Sequence, residues 1–286
     1  MTQLSIIEFG DALIRTQDLD PVYVALTACN LDELTLSKLS LAYWCFYNLG
    51  TAAKLAELKG NKYWEYMIRA AVNAGQNSDG SKPWPRGAER RHFRGSQAER
   101  AMSELVSKYG GKDARHAVKQ FIQPDAKTPP TYKSVSKATR AHRGFGEWIA
   151  FKVADMSERV LGYSTDFSDC HLGIYKDPRQ GAAVGYVQRH GFSPEGNPWD
   201  YVITDDELAS TVDHYVGVWQ KKKARAPGGT SRLINVQEVE TIFCKYKSHL
   251  KGRYSVGKDT REILHGLTGW GDLAQQLQKG LPKCAP

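Results

Sequence analysis

A glycine–phenylalanine–glycine turn at residues 144–146 sets the tightest limit on how this chain folds. Glycine admits backbone conformations that a Cβ obstructs. The run His142-Arg143-Gly144-Phe145-Gly146-Glu147-Trp148-Ile149-Ala150 therefore reads as a hairpin bend between two short helices, spanning about residues 131–162. Phe145 is placed to plug the gap between them, and Ala150, four residues after the second glycine, lets them approach closely. Downstream, Ile149, Val153, Met156 and Val160 recur as one apolar face, as the second helix requires. Free N–H groups at the start of that helix offer a seat for a phosphate.

The rest of the chain reads as mainly α. Leu34, Leu39, Leu41, Trp44 and Phe46 form one apolar segment, continued by Leu55 and Leu58, with Thr35 or Ser37 as its cap and Gly50 or Gly60 as its break. Tyr63, Trp64, Met67, Ile68 and Ala71 give a second amphipathic stretch. Trp84-Pro85-Arg86-Gly87 reads as a turn feeding a charged helix from about 88 to 109. Pro124, Pro129 and Pro130 predict an irregular link, and the Gly-, Pro- and Asp-rich stretch 162–205 predicts loops. Helices are expected at 205–219, 236–249, 260–265 and 272–279, with a basic loop at about 221–231 leading into a C-terminal helical segment, 232–286. With 286 residues the chain is long enough for one helical unit or two packed lobes.

Charge points to a polyanionic partner. The formal net charge is +8, and it is uneven: residues 1–60 hold four Lys/Arg against seven Asp/Glu, so the other 226 residues carry +11. Tyr132, Trp148, Tyr246, Tyr254 and Trp270 are interleaved with that basic body, which suits phosphate attraction with base stacking, or simply a solvated surface. Five scattered cysteines (Cys29, Cys45, Cys170, Cys244, Cys284) form neither a disulfide framework nor a zinc spacing and read as reduced thiols. No apolar run is long enough to span a bilayer and the N-terminus lacks a signal pattern, so a cytoplasmic location is expected.

Asp166 falls 20 residues after Gly146. In this spacing the stretch 130–175 resembles the helix-hairpin-helix DNA glycosylases, whose catalytic aspartate lies at the matching distance. The resemblance implies a glycosylase-like helical architecture, a catalytic Asp166, and DNA gripped by Arg143, Gly144, Phe145, Gly146 and Trp148. The lysine of lyase-competent members is replaced here by Trp148, which removes the Schiff-base chemistry. The plainer reading is a helix–helix turn with Asp166 as a helix cap.

Two further motifs carry unusual polar density. Trp84-Pro-Arg-Gly-Ala-Glu-Arg-Arg-His-Phe-Arg-Gly95 concentrates Arg86, Arg90, Arg91 and Arg94 around His92. On a helix, Arg90 and Arg94 would share a face and repel unless an anion sat between them. Guanidinium forks match phosphate oxygens, so the cluster is either a pyrophosphate clamp or a face for the DNA backbone. The second motif, Cys244-Lys-Tyr-Lys-Ser-His249 with Gly252-Arg-Tyr254 and Gly257-Lys-Asp259, offers Lys245 and Lys247 as further cations and His249 as a proton carrier or phosphate contact. Cys244 reads as a packing residue.

Taken together, these motifs and the hairpin resemble the bacteriophage amino acid:DNA transferases, the α-glutamyl/putrescinyl-thymine pyrophosphorylases, over most of residues 40–280. The resemblance implies thymidine hypermodification. A free amino acid displaces pyrophosphate from 5-pyrophosphooxymethyl-uracil in double-stranded DNA, in the cytoplasm of a phage-infected host. Base flipping, Asp166, Arg90, Arg94 and His249 as catalytic groups, and Arg86, Arg91, His92, Lys245 and Lys247 on the pyrophosphate are the roles it implies. No membrane is involved. No cofactor is demanded; Mg²⁺ would suit pyrophosphate, but no carboxylate motif calls for it. A monofunctional glycosylase for a modified pyrimidine and a non-catalytic DNA-binding accessory are the alternatives.

Overall fold

The computed structural model describes residues 4–75, 84–90, 92–125, 127–172, 176–191, 198–225 and 231–283. Its helices are α1 (Ile6–Thr16), α2 (Pro21–Ala28), α3 (Glu33–Phe46), α4 (Leu49–Ala56), α5 (Asn61–Val72), α6 (Gly95–Tyr109), α7 (Ala114–Ile122), α8 (Tyr132–Arg140), α9 (Glu147–Arg159), α10 (Lys176–His190), α11 (Asp205–Trp219), α12 (Val236–Leu250), α13 (Lys258–Gly266) and α14 (Asp272–Gly280). Strands are minor. Among the described residues β1 (Ala74–Gly75) runs parallel to β2 (Trp84–Pro85), and β3 (Lys223–Arg225) runs antiparallel to β4 (Ser231–Leu233). The mainly α class expected from periodicity is what forms. No described helix is long and apolar enough to cross a membrane.

Local chemistry explains most boundaries. Ser5 and Glu8 form a capping box at α1, and Thr204 and Glu207 form another at α11. Asp32, rather than Thr35 or Ser37, caps α3, its carboxylate accepting from Thr35 N at 3.0 Å. Gly50 lies inside α4, where a Cβ would meet the Gly266 carbonyl at 2.6 Å. Gly60, with φ at +55°, does precede α5.

Two expectations fail for identifiable reasons. The segment 88–109 is not one helix. Ala88–Arg90 is a single 3₁₀ turn, and α6 starts only at Gly95, whose φ of +55° breaks any continuation. Arg90 and Arg94 therefore do not share a helix face. The stretch 162–205, read as loops, contains the 15-residue helix α10. Its glycines mark close approach: a Cβ on Gly181 would lie 2.0 Å from the Phe243 carbonyl, and one on Gly185 3.0 Å from the Tyr215 ring. The 221–231 region starts and ends in the β3–β4 pairing, while residues 226–230 lie outside the described residues.

Helices α9 and α12 run through the middle, and both bury charge along with apolar groups. On α9, Lys152, Asp155 and Arg159 are buried beside Ile149, Val153 and Met156; on α12, Glu238 and Glu240 are buried beside Val239, Ile242 and Phe243. Buried charges persist only when matched. Arg159 meets Asp20 at 2.6 Å, Glu238 at 3.1 Å and Asp155 at 3.6 Å, and Lys152 meets Glu240 at 3.3 Å. These pairs fix the two helices and the start of α2 around one space.

Candidate active site

That space is a cavity of about 450 Å³. Its walls come from distant parts of the chain: Asp20 and Tyr23 at the start of α2, Tyr43 on α3 and Tyr47 after it, the turn Gly87–Glu89, Trp148 and Lys152 on α9, Glu240, Lys245 and Ser248 on α12, and Tyr254, Asp259 and Glu262 from the α12–α13 region.

One wall is aromatic. The Tyr43 and Tyr47 rings lie 4.7 Å apart, and Trp148 meets Tyr47 edge-on at 4.7 Å. Tyr47 ends α3 in the left-handed region, with φ at +49°. A bulky residue there costs about 1–2 kcal/mol, and the surrounding packing holds it. This backbone turn sets the Tyr47 ring between Tyr43 and Trp148. A planar, partly desolvated ligand suits such a wall.

Much of the rest of the lining is charged. Asp20 is held below the usual carboxylate range: burial alone would raise it, but the Arg159 guanidinium overrides burial. Burial likewise works against the charge of Lys152, yet Glu240 and the neighbouring acids keep its ammonium well above its ordinary value. Lys245 pairs with Asp259 at 2.7 Å and donates to the Tyr254 hydroxyl at 3.0 Å and to the Asp18 carbonyl. Asp18 is fully buried and accepts from the Tyr254 hydroxyl, Gly257 N, Thr260 N and the Thr260 hydroxyl. It thereby fixes the loop that brings Tyr254 and Asp259 to the cavity. Burial pushes the Cys244 thiol up to about 12, in keeping with a packing role.

The arginine motif builds the cavity edge rather than filling it with cations. The Thr51 hydroxyl donates to Pro85 O at 2.7 Å, and Gly87 N donates to Phe46 O at 2.9 Å. A Cβ on Gly87 would lie 2.5 Å from the Tyr47 carbonyl, so only glycine allows this approach. Arg90 is buried; its Nε donates to Cys45 O at 2.9 Å and its Nη1 to Gly144 O at 2.8 Å, with the guanidinium over the Phe93 and Phe145 rings. Burial lowers it to about 10. It is a brace between α3 and the hairpin and does not line the cavity. Arg86 is buried as well, its Nε and Nη1 without hydrogen-bond partners, and burial together with Arg94 lowers its proton affinity. Arg94 and His92 are exposed, and Arg91 lies outside the described residues.

Of the remaining sequence candidates, Trp148 and Lys245 line the cavity. Lys247 pairs instead with Asp177. His249 stacks on Phe9 at 4.6 Å, with Nδ1 against the Tyr254 carbonyl and Nε2 buried without a partner, away from the cavity walls. Asp166 is exposed and does not line the cavity. Its carboxylate accepts from Ser168 N at 2.8 Å and the Ser168 hydroxyl at 2.7 Å, which holds it below the usual range, and its backbone bridges Thr131. Asp166 thus closes a turn onto Ser168 and, contrary to the plainer reading of the sequence, does not cap a helix.

The Gly-Phe-Gly segment does join two packed helices, α8 and α9. Gly144 is left-handed (φ +82°), Phe145 is buried against Phe121, and Gly146 starts α9 without a side-chain cap. Arg143 is exposed and pairs with Glu104 at 2.6 Å. The sequence reading missed Asp20, Glu89, Lys152 and Glu240. The signal for three of them was present, as charged residues standing inside the apolar faces of α9 and α12 or just before α2. Among the described residues, no group of three or more His, Cys, Asp or Glu is set to hold a metal ion.

A family model described as amino acid:DNA transferase matches residues 5–255. A glycinyltransferase of Pseudomonas phage PaMx11 is 38% identical over 289 residues, covering 96% of this chain and 94% of the relative. A putrescinyltransferase of Delftia phage PhiW-14 is 25% identical over 288 residues, covering 96% of this chain and 82% of the relative. With the family model over most of its length and a relative 38% identical across nearly all of it, the chain belongs to the amino acid:DNA transferase family.

Proposed function

We propose that this enzyme transfers an amino acid onto a thymine of duplex DNA whose 5-methyl carbon carries a pyrophosphate ester, and that the cavity is its active site. The observation that carries this reading is the meeting of the Tyr43–Tyr47–Trp148 wall with carboxylates and lysines in one space. A pyrimidine turned out of the stack would rest on the aromatic wall. The amine donor, cationic in water, is drawn to a lining that holds five carboxylates (Asp20, Glu89, Glu240, Asp259, Glu262) against Lys152 and Lys245. Glycine is the first donor to test, given the 38% identity to a glycinyltransferase.

The reaction forms a C–N bond at the 5-methylene carbon as the C–O bond breaks, its electron pair leaving on the diphosphate. Fixed cations stabilise that developing charge without reorganising. Lys245 in the cavity and Arg86 and Arg94, on the segment that leads to Gly87–Glu89 and out of it, are the groups for this task. Outside the cavity, the uncapped start of α9 at Gly146 and the Lys133, Lys137 and Arg140 groove on α8 suit a DNA backbone.

The test is incubation with duplex DNA bearing 5-pyrophosphooxymethyl-uracil and pooled amino acids, glycine included. Released pyrophosphate and a heavier nucleoside by mass spectrometry are expected. Free base with abasic sites would replace the reading with a glycosylase, and DNA binding with no chemical change would replace it with an accessory protein.

A further inference from the structure

Four of the five carboxylates that line the cavity are matched to cations: Asp20 to Arg159, Glu240 to Lys152, Asp259 to Lys245, and Glu262 to Lys258 at 3.7 Å. Glu89 has no ion pair among the described residues. Its position is nevertheless fixed. It sits in a 3₁₀ turn held on one side by the Gly87 N to Phe46 O bond and on the other by the two carbonyls that Arg90 grips. Gly87 keeps the turn close to Tyr47, and the Glu89 Oε2 lies 2.9 Å from where a Cβ on that glycine would stand. An acid whose backbone is held at the aromatic wall, with no ion pair among the described residues, is available to a substrate.

Resting on the function proposed above, we infer that Glu89 is the proton acceptor for the attacking amine. An amino acid reaches the site as an ammonium, which has no lone pair to attack with. Glu89 takes one N–H proton and becomes a carboxylic acid. The freed lone pair forms the C–N bond, the C–O electron pair departs with the diphosphate, and the product remains a secondary ammonium. The surroundings suit this task. Glu89 is exposed to solvent on one side, yet the protein crowded around its carboxyl desolvates it and raises it above its ordinary range; Asp259 and Glu262 of α13 add to that, and Lys152 of α9 opposes it. Asp20 before α2, and Glu240 and Lys245 of α12, complete the charged lining. Raising a carboxylate toward the amine narrows the gap across which the proton moves.

The test compares wild type, Glu89→Gln and Glu89→Asp on DNA bearing 5-pyrophosphooxymethyl-uracil, with glycine and with methoxyamine, whose nitrogen is unprotonated near neutral pH. With glycine, Glu89→Gln is expected to lose about 10²–10⁴-fold in turnover, the usual contribution of a positioned base, with DNA affinity and thermal stability unchanged and Glu89→Asp partly active. With methoxyamine the loss shrinks to within about tenfold, since no proton need be removed first. The glycine pH–rate profile gives a readout that does not depend on the second donor: wild type levels off once Glu89 is ionised, whereas the rate of Glu89→Gln keeps rising with pH as free glycine amine forms. Equal losses with both donors, full activity with glycine, or a Glu89→Gln profile that levels off as wild type's does would each overturn the assignment to Glu89 while leaving the transferase reading in place. Absence of any adduct from wild type with either donor would overturn the transferase reading itself and the inference with it.

Discussion

The guanidinium of Arg90 bonds the carbonyls of Cys45 and Gly144 at 2.9 and 2.8 Å, and so ties the end of α3 to the hairpin before α9. Replacing it leaves two carbonyls without donors, one of them at a left-handed glycine. Arg90→Lys, which lacks the fork, is expected to lower stability by about 1–3 kcal/mol. Urea denaturation gives the loss, and turnover measured well below the melting range should stay within a few-fold of wild type. A large drop in turnover with full stability would return Arg90 to the chemistry.

Trp148 faces Tyr47 across 4.7 Å. Trp148→Ala removes a stacking surface and is expected to weaken productive binding of modified DNA by about 1–3 kcal/mol, with Trp148→Phe intermediate. Transfer kinetics on a single-site duplex check this, and equal activity of Ala and wild type would remove Trp148 from the base pocket.

The Lys152–Glu240 pair is buried on both sides. Lys152→Met strands a carboxylate and should cost about 3–5 kcal/mol, whereas Lys152→Met with Glu240→Leu regains most of that. Because both residues line the cavity, the double variant is expected to fold but transfer poorly. Thermal melts paired with activity assays separate the two effects.

Asp166 is exposed and engaged by Ser168. Asp166→Asn is therefore expected to keep turnover within about twofold of wild type and to lose at most about 1 kcal/mol of stability through the weakened turn. A loss of a hundredfold or more in single-turnover transfer would show that the glycosylase-like spacing carries function after all.

Asp155 is fully buried near Arg159, and burial pushes its carboxyl up to about 7, with Arg159 acting against that rise. In the unfolded chain it ionises near the ordinary value of about 4. As pH rises from about 4 to 7 the unfolded state sheds this proton first, so the contribution of Asp155 to stability falls across that window and is flat above it. Asp155→Asn should lose less stability between pH 5 and pH 8 than wild type does. Urea midpoints at the two pH values decide it, and parallel curves would refute the role.

The C-terminal helices were legible because their apolar spacing and caps are local: α11 starts and ends where periodicity placed it, and α12 differs by one residue. Helix α10 was not, because Gly181 and Gly185 signal a breaker in sequence but serve here as flat faces against α12 and Tyr215. The site was half legible. Trp148 and Lys245 stand in dense motifs, whereas Asp20, Lys152 and Glu240 acquire meaning only when α2, α9 and α12 meet. Arg90 and His249 looked chemical because charge and imidazole draw attention. Their partners, a pair of carbonyls and the Phe9 ring, are set by tertiary packing that spacing does not encode.

Asp18, near the beginning of the polypeptide, holds Tyr254, Gly257 and Thr260, near its end. A ribosome must therefore make the chain through Thr260 before the reaction chamber can close. A nascent fragment that stops after Leu250 has its aromatic shelf and Lys245 but lacks the Tyr254 and Asp259 that hold this lysine, and it should be inert toward DNA however well its early helices have folded.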